Sequence, residues 1–238
     1  MPGALICILF AGFIAVAIGL MVLAHKAAQE RLRAMQAFAA ELGFSFDPAS
    51  YGGWDRQWPR FECFAQGHSR RAFNLLTGPF PGGTRGETCV LGEYEFKETH
   101  GSGKNRRTVT HQFGFLIVIT RWHGMPDVQL RAENMLDKVA GFLGFDDIDF
   151  ESAEFSRRFH VKSSDKRFAY DLIDPQMMEF LLGQKTPLID LGDNAFVLSY
   201  GRSTRLGVDD YRSLLAWARE FLGHWPRVVV ARLDEGVR

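Results

Sequence analysis

An apolar run of 22 residues, from Gly3 to Ala24, contains no charged side chain. Twelve of these residues are Leu, Ile, Val or Phe. About 20 apolar residues in helical conformation are enough to cross ~30 Å of hydrocarbon. The run therefore predicts a transmembrane helix, with the lipid bilayer as the partner of residues 3–24.

A cleaved signal peptide is the alternative to a retained anchor. Such a peptide has a basic segment before an apolar core of about 7–15 residues. This chain has no Lys or Arg before Lys26, and Ile18 to Ala24 continue the run beyond Ala15-Val16-Ala17, which would suit a cleavage site. We therefore expect the helix to be retained as an anchor.

The charges that follow the run predict its orientation. Lys26, Arg31 and Arg33 come shortly after it, and segments rich in Lys and Arg stay in the cytoplasm. We expect a single-pass protein of the bacterial inner (plasma) membrane with a cytoplasmic soluble domain.

Small residues recur every four positions within the run, at Ala11, Ala15 and Gly19. A face of this kind lets two helices approach closely. A homodimer through it is one prediction, and the alternative is that small residues are simply common in membrane helices.

Composition narrows the class of the remaining chain. Aromatic residues make up 13% of the sequence and 21 residues are phenylalanine, which favours a folded domain with a ring-rich core. Lys plus Arg number 28, equal to Asp plus Glu, whereas nucleic-acid-binding domains carry a basic excess or stripe. We therefore expect no nucleic-acid partner.

Cys63 and Cys89 lie in expected strands, 26 positions apart and without CxxC spacing. Two buried thiols acting as small apolar side chains are the expectation. One disulfide is the alternative, and it requires an oxidising compartment.

Periodicity divides the chain into an anchor at 1–24, a juxtamembrane helix and connector at 25–58, and a soluble domain at 59–238. The helix is predicted over 25–43, because Leu32, Met35, Phe38 and Leu42 share one face. Expected strands and helices segregate along the domain, which favours the α+β class with a mostly antiparallel sheet and packed helices.

The Gly-, Pro- and Trp-rich segment 45–59 is predicted as a connector. Strands are predicted over 60–66, 71–76, 89–96, 109–120, 148–150, 155–161, 188–191, 195–200 and 227–233, and around Val128 and Leu130. Helices are predicted over 134–143, 165–172 and 175–182, and from a cap at Asp209 to residue 222.

Two loops begin like catalytic or nucleotide motifs. Gly67-His68-Ser69 begins like a nucleophile elbow, but Arg71 stands where the motif needs its second glycine. Gly101-Ser102-Gly103 begins like a dinucleotide-binding loop, but Arg106 replaces the third glycine and the loop joins two strands. We expect a turn and a solvated hairpin tip.

The hairpin tip is basic, because Lys104, Arg106 and Arg107 lie in it. Contact with an anionic partner or a lipid headgroup is the alternative to a purely solvated loop.

Glu93, Glu95 and His111 would share one region if their two strands pair in simple register. Carboxylates beside a histidine form metal or acid–base sites. Cross-strand pairing of surface charges is the simpler interpretation. We assign no catalytic, cofactor-binding or metal-ligating residue and expect no cofactor.

The stretch from Asp147 to Leu182, with Glu154-Phe155, Phe159-His160-Val161 and Asp165, resembles an uncharacterised bacterial family of single-span membrane-anchored proteins. Two upstream segments resemble it as well, Phe73-Asn74-Leu75-Leu76-x-Gly78 and Met125-Pro126-Asp127. The resemblance spans about residues 60–200. It implies a bacterial origin and one soluble domain behind an anchor, and it brings no mechanism.

Three functions stay open. The first is a non-enzymatic interaction or regulatory module that binds an unknown protein partner at the membrane surface. The second is a membrane-surface enzyme with a dispersed site, which a pocket holding His111 near Glu93 or Glu95 would favour. The third is a lipid- or small-ligand-binding domain, which a large apolar cavity lined by phenylalanines would favour.

Overall fold

The computed structural model describes residues 2–133, 147–201 and 203–236. Within these residues an N-terminal helix is followed by an eight-stranded antiparallel sheet with helices packed on it. The predicted α+β class, with an apolar N-terminal helix and a mostly antiparallel sheet, is confirmed. The predicted helix at 134–143 lies outside the described residues.

The first helix, α1, runs without interruption over Pro2–Leu42. Residues 12–30 are all exposed, and this helix is long and apolar enough to cross a membrane. Its C-terminal part carries the expected apolar face, with Met35, Phe38 and Ala39 buried against the domain. Pairing through Ala11, Ala15 and Gly19 stays a prediction.

The strands and the remaining helices alternate irregularly along the described chain. The strands are β1 Ser45–Tyr51, β2 His68–Pro79, β3 Thr88–His100, β4 Arg107–Ile119, β5 Met125–Ala132, β6 Phe159–Ser163, β7 Leu188–Asp193 and β8 Ala195–Ser199. The helices are α2 Trp54–Gln57, α3 Ala153–Arg158, α4 Lys166–Leu172, α5 Pro175–Leu182, α6 Val208–Gly223 and α7 Arg227–Glu235. The sheet order is β1-β2-β3-β4-β8-β7-β5-β6.

Residues 45–59, predicted as a connector, instead form β1 and α2. Strand β1 lies at the edge of the sheet and contains Pro48, a residue tolerated at edges but atypical of strands. The predicted strand at 60–66 is also wrong, because Glu62–Phe64 is a 3-10 turn that buries Cys63 and Phe64.

Of three further predicted strands, one is correct only in its last residues and two are wrong. The alternation at 155–161 belongs partly to α3, whose cap Ser152 accepts a hydrogen bond from the Phe155 N–H at 3.2 Å, and β6 begins only at Phe159. At 148–150 the neighbouring Asp147 forms only an isolated bridge to Lys162. The β-branched run in 227–233 is α7, which follows Pro226.

The two faces of the sheet pack differently. The helical face packs against α1 and α4 to α7. Strand residues such as Leu91, Leu116 and Leu198 point to this side and form part of its core. The opposite face carries an aromatic cluster beneath α2 and the 3-10 turn. We define the aromatic cluster as Trp54, Trp58, Phe61, Phe64, Tyr94, Phe96, Phe113 and Phe115.

Helix caps give a test of the local structure. The Asp174 carboxylate accepts the Met177 N–H at 2.8 Å, so Asp174→Ala should lower the free energy of unfolding by about 1 kcal/mol. Asp209, predicted as the cap of the last helix, does not cap it; Gly207 occupies the cap position and Asp210 accepts the Gly207 N–H at 2.7 Å.

Asp209→Ala is therefore the matched control, with an expected loss within about 0.5 kcal/mol. Urea-induced unfolding followed by tryptophan fluorescence measures both variants. Equal losses for the two variants would contradict the cap assignment.

Candidate functional site

A polar group joins α1 to the helical face of the sheet. Arg31 donates from Nη2 to Glu93 Oε1 at 2.8 Å and from Nε to Glu93 Oε2 at 3.2 Å. The Glu93 side chain is 1% exposed and the Arg31 side chain 29%. Glu93 also accepts hydrogen bonds from Asn74 Nδ2 at 2.6 Å and Gln112 Nε2 at 3.5 Å. We call these four residues the junction cluster.

The start of α6 completes the contact between α1 and the sheet. Arg31 Nη2 donates to the Leu206 carbonyl at 2.6 Å, and the Tyr211 hydroxyl donates to the Gly92 carbonyl at 2.7 Å. A Cβ on Gly114 would lie 2.6 Å from Leu206 Cγ, so only glycine fits beneath that side chain. Charge and close packing together fix α1 against the sheet.

Glu93, Glu95 and His111 do not form the metal or acid–base site considered above. In the observed register Glu93 pairs with Gly114 and Phe96 pairs with His111, so both glutamates lie on the helical face and His111 on the opposite face. Glu95 accepts from Arg71 Nε at 3.1 Å, and His111 stacks on Phe96. The described residues contain paired charges instead, which was the simpler interpretation.

Only the second of the two loops forms a turn as predicted, because His68 and Ser69 of the first lie in strand β2. Residue Gly67 precedes β2 directly, and His68 Nε2 lies 3.0 Å from Thr99 Oγ1 on the neighbouring strand. The second loop joins β3 to β4 through a short 3-10 turn at Gly103–Asn105. Arg106 and Arg107 are exposed there.

A second polar group lies on the opposite face, beside the aromatic cluster. Asp190 Oδ2 accepts the Glu62 N–H at 3.1 Å and Gln129 Nε2 at 3.2 Å, and Arg131 donates to Glu62 Oε2 at 2.8 Å. Gln129, Arg131 and Asp190 are all buried. Sequence reasoning missed this group; its one signal is a lone acid, Asp190, inside the apolar strand 188–191.

Burial raises the pKa of Asp190 to about 7. The hydrogen bonds from Gln129 and the Glu62 N–H, and the charge of Arg131, act in the opposite direction and lower this pKa. Between about pH 4 and pH 7 the unfolded carboxyl is ionised while the folded one holds a proton. The folded state then binds more protons, so this residue makes stability fall as pH rises through that window and level off above it.

Asp190→Asn should flatten this fall in stability, measured as the urea midpoint at several pH values between about 4 and 8. Asp234→Asn is the control of opposite sign. Hydrogen bonds from Trp122 and Arg121 lower the pKa of Asp234, so its stabilisation is lost as pH falls. An Asp190→Asn profile parallel to that of the wild type would contradict the assignment.

Cys63 and Cys89 are both free and buried, as expected, and no disulfide joins them. They lie in the clusters on opposite faces of the sheet. Burial raises the pKa of the Cys89 thiol to about 12. Burial also raises the pKa of the Cys63 thiol well above its ordinary value, and the nearby Asp190 charge adds to this effect. Both thiols therefore act as small apolar side chains.

The surface grooves beside α5 and α6 are open, and most of the residues that line them are polar or charged. One of about 520 Å³ is lined by Lys185, Asp210 and Glu220, and another of about 540 Å³ by Gln176, Glu179 and His224. Within the described residues no group of three or more His, Cys, Asp or Glu side chains is placed to hold a metal ion.

The comparisons with known proteins give one structural likeness. The crystal structure of the mycobacterial trehalose monomycolate transport factor A, TtfA, matches over 82% of this chain and 96% of that chain, with a TM-score of 0.55.

The two share a fold.

Sequence identity over the match is 13%, so the likeness concerns the architecture alone. No family model matches this sequence, and no match is found among curated proteins.

Proposed function

We propose that this protein is a membrane-anchored, non-enzymatic accessory factor for lipid transport at the bacterial inner membrane. One observation carries the proposal. The exposed apolar part of α1 and the part docked on the domain form a single helix, held to the sheet by the junction cluster. An anchor joined in this way fixes the domain beside the bilayer and holds it there in one orientation.

The closeness of the domain to lipid supports a role at the membrane surface. Arg31 lies seven positions after Ala24, the end of the apolar run, which is a rise of about 10 Å in a helix. This spacing leaves no flexible linker between the bilayer and the domain. It suits a factor that presents a fixed surface to a protein partner in the same membrane.

The lipid-transport part of the proposal rests on the shared fold. TtfA is described as a trehalose monomycolate transport factor, and the shared fold covers 82% of this chain. We propose the same broad role, support of lipid transport, without assigning the same lipid.

The two alternatives lack the features that would favour them. The enzyme hypothesis relied on His111 near Glu93 or Glu95, and these residues lie on opposite faces of the sheet. The ligand-binding hypothesis relied on a cavity lined by phenylalanines, and in the described part of the chain these rings pack in the two core clusters.

Deletion of the gene in its host tests the function. Newly made envelope lipids should accumulate in the inner-membrane fraction and return to their normal distribution on complementation with the full chain. A chain lacking residues 3–24 should fail to complement. An unchanged distribution of lipids between membrane fractions after deletion would refute the transport role.

Topology has its own test in intact cells. A cysteine at Asn105, in a background with Cys7 replaced by alanine, should resist an impermeant thiol reagent until the cells are lysed. Labelling before lysis would place the domain outside the cytoplasm, against the orientation proposed from Lys26, Arg31 and Arg33.

A further inference from the structure

The β3–β4 hairpin points from the domain toward the bilayer. Arg31 contacts Glu93 in β3. Further along the chain, Phe44 packs against Gly78, which pairs with Cys89 at the start of β3. Along α1, increasing residue number therefore leads away from the apolar run. Along β3, increasing residue number leads toward that run. The β3–β4 turn lies at the end of the sheet nearest the bilayer.

Simple distances show that the hairpin is long enough to reach the lipid headgroups. From Glu93 to His100 the strand extends up to ~23 Å. The four steps from Cys89 to Glu93 cover ~13 Å of strand, and α1 rises ~16 Å from Arg31 to its end at Leu42, so β3 follows the direction of the helix over this distance. The apolar run ends only about 10 Å beyond Arg31, and the headgroup layer is about 5–7 Å deep.

Positive charge is concentrated at this end of a chain whose formal net charge is zero. Residues 67–71 and 95–108 contain six Lys or Arg and two Glu. Arg70 pairs with Asp55 and Arg71 with Glu95, whereas Arg106 and Arg107 are exposed and form no ion pair within the described residues. Glu98 faces His100 at 3.5 Å and His111 at 3.2 Å.

We propose that the hairpin tip, residues 100–107, is a second membrane contact that binds anionic lipid headgroups of the leaflet on the domain's side. Arginines at an anionic surface attract phosphate groups across the headgroup layer. With α1 as the first contact, the tip fixes the rotation of the domain about the helix axis. The proposal rests on the membrane anchor of the proposed function, and it adds the surface and the lipid class.

The test uses the full chain in lipid nanodiscs. Asn105→Cys, with Cys7→Ala and with Cys63 and Cys89 buried, carries an environment-sensitive fluorophore at the tip. Nitroxide-headgroup lipids should quench the label strongly in discs containing about a third phosphatidylglycerol and weakly in pure phosphatidylcholine. The difference should disappear at ~0.5 M salt, where charges more than a few ångströms apart are screened.

Charge reversal gives the decisive comparison. Each arginine changes the ratio of docked to undocked tip by roughly fivefold, so Arg106→Glu with Arg107→Glu should lower it by at least ~25-fold. Arg219→Glu with Arg227→Glu is the matched control, since both are exposed and Arg219 lies against Gly82 in the β2–β3 loop, at the opposite end of the sheet. Tryptophan fluorescence verifies that both variants fold.

Equal quenching in neutral and anionic discs, or equal loss in the two double variants, would overturn the proposal. Shielding of the label only after host membrane proteins are added would make the tip a protein-docking surface and would also overturn it. Failure of the anchor is a separate result, because the chain would then not co-elute with the discs.

Discussion

Replacing Arg31 by alanine should lower the free energy of unfolding by about 3–5 kcal/mol, because the buried Glu93 carboxyl group would lose the guanidinium that pairs with it. The Glu93 side chain is 1% exposed, so water cannot replace the lost partner. Urea-induced unfolding of the full chain in detergent measures the loss. Tryptophan fluorescence reports on the domain alone, since all five tryptophans follow α1.

Arg33→Ala is the control for the loss of a positive charge from the same helix. Arg33 is exposed two residues further on, and the expected change is within ±0.5 kcal/mol. Replacing both members of the pair, Arg31→Met with Glu93→Leu, should restore most of the stability, since a buried ion pair and an apolar pair of similar size are nearly equivalent. A double variant as unstable as Arg31→Ala would show that packing, not the unpaired charge, causes the loss.

Phe64→Ala should cost about 3–5 kcal/mol, because it opens a cavity at the centre of the aromatic cluster. Phe64 is fully buried, and its ring centroid lies 4.9 Å from that of Tyr94 and 5.1 Å from that of Phe115. The same unfolding measurement applies. The 3-10 turn that carries Phe64 should detach from the sheet more readily, seen as faster hydrogen exchange of its backbone amides.

Phe64→Leu separates volume from ring contacts. It keeps most of the apolar volume and should cost about 1–2 kcal/mol. Tyr170→Phe, which removes a hydroxyl from a half-exposed ring, should change stability by less than about 0.5–1 kcal/mol. A loss below 1 kcal/mol for Phe64→Ala would mean that the 3-10 turn is not held by the cluster.

The sequence predicts structure best where the determinants are local. Helices α4 and α5 were predicted, and Asp165 and Asp174 cap them, because a short carboxylate followed by free N–H groups is a signal contained within four residues. Strands β7 and β8 were also predicted, and they pair through a tight turn that contains Asp193, a residue with positive φ. Segments such as α7 are harder to predict, since its three consecutive valines, Val228 to Val230, are also typical of a strand.

The polar groups were beyond reach of the sequence because they depend on register and tertiary contacts. Strands 89–96 and 109–120 were predicted, yet a shift of one residue decides which face each side chain occupies. That shift separates His111 from Glu93. Arg31 lies 62 positions from Glu93, and Glu62 lies 128 positions from Asp190, so no local pattern links either pair.

With α1 spanning the membrane as we propose, its unbroken path makes bilayer thickness a variable to which the domain responds. A thinner bilayer is accommodated by tilting a spanning helix, within a range of about 0–40°. Because the junction cluster holds α1 against the sheet, the domain must tilt with it. Lipid composition is thereby converted into the angle at which the whole sheet meets the membrane surface, a mechanical coupling that a flexible linker would abolish.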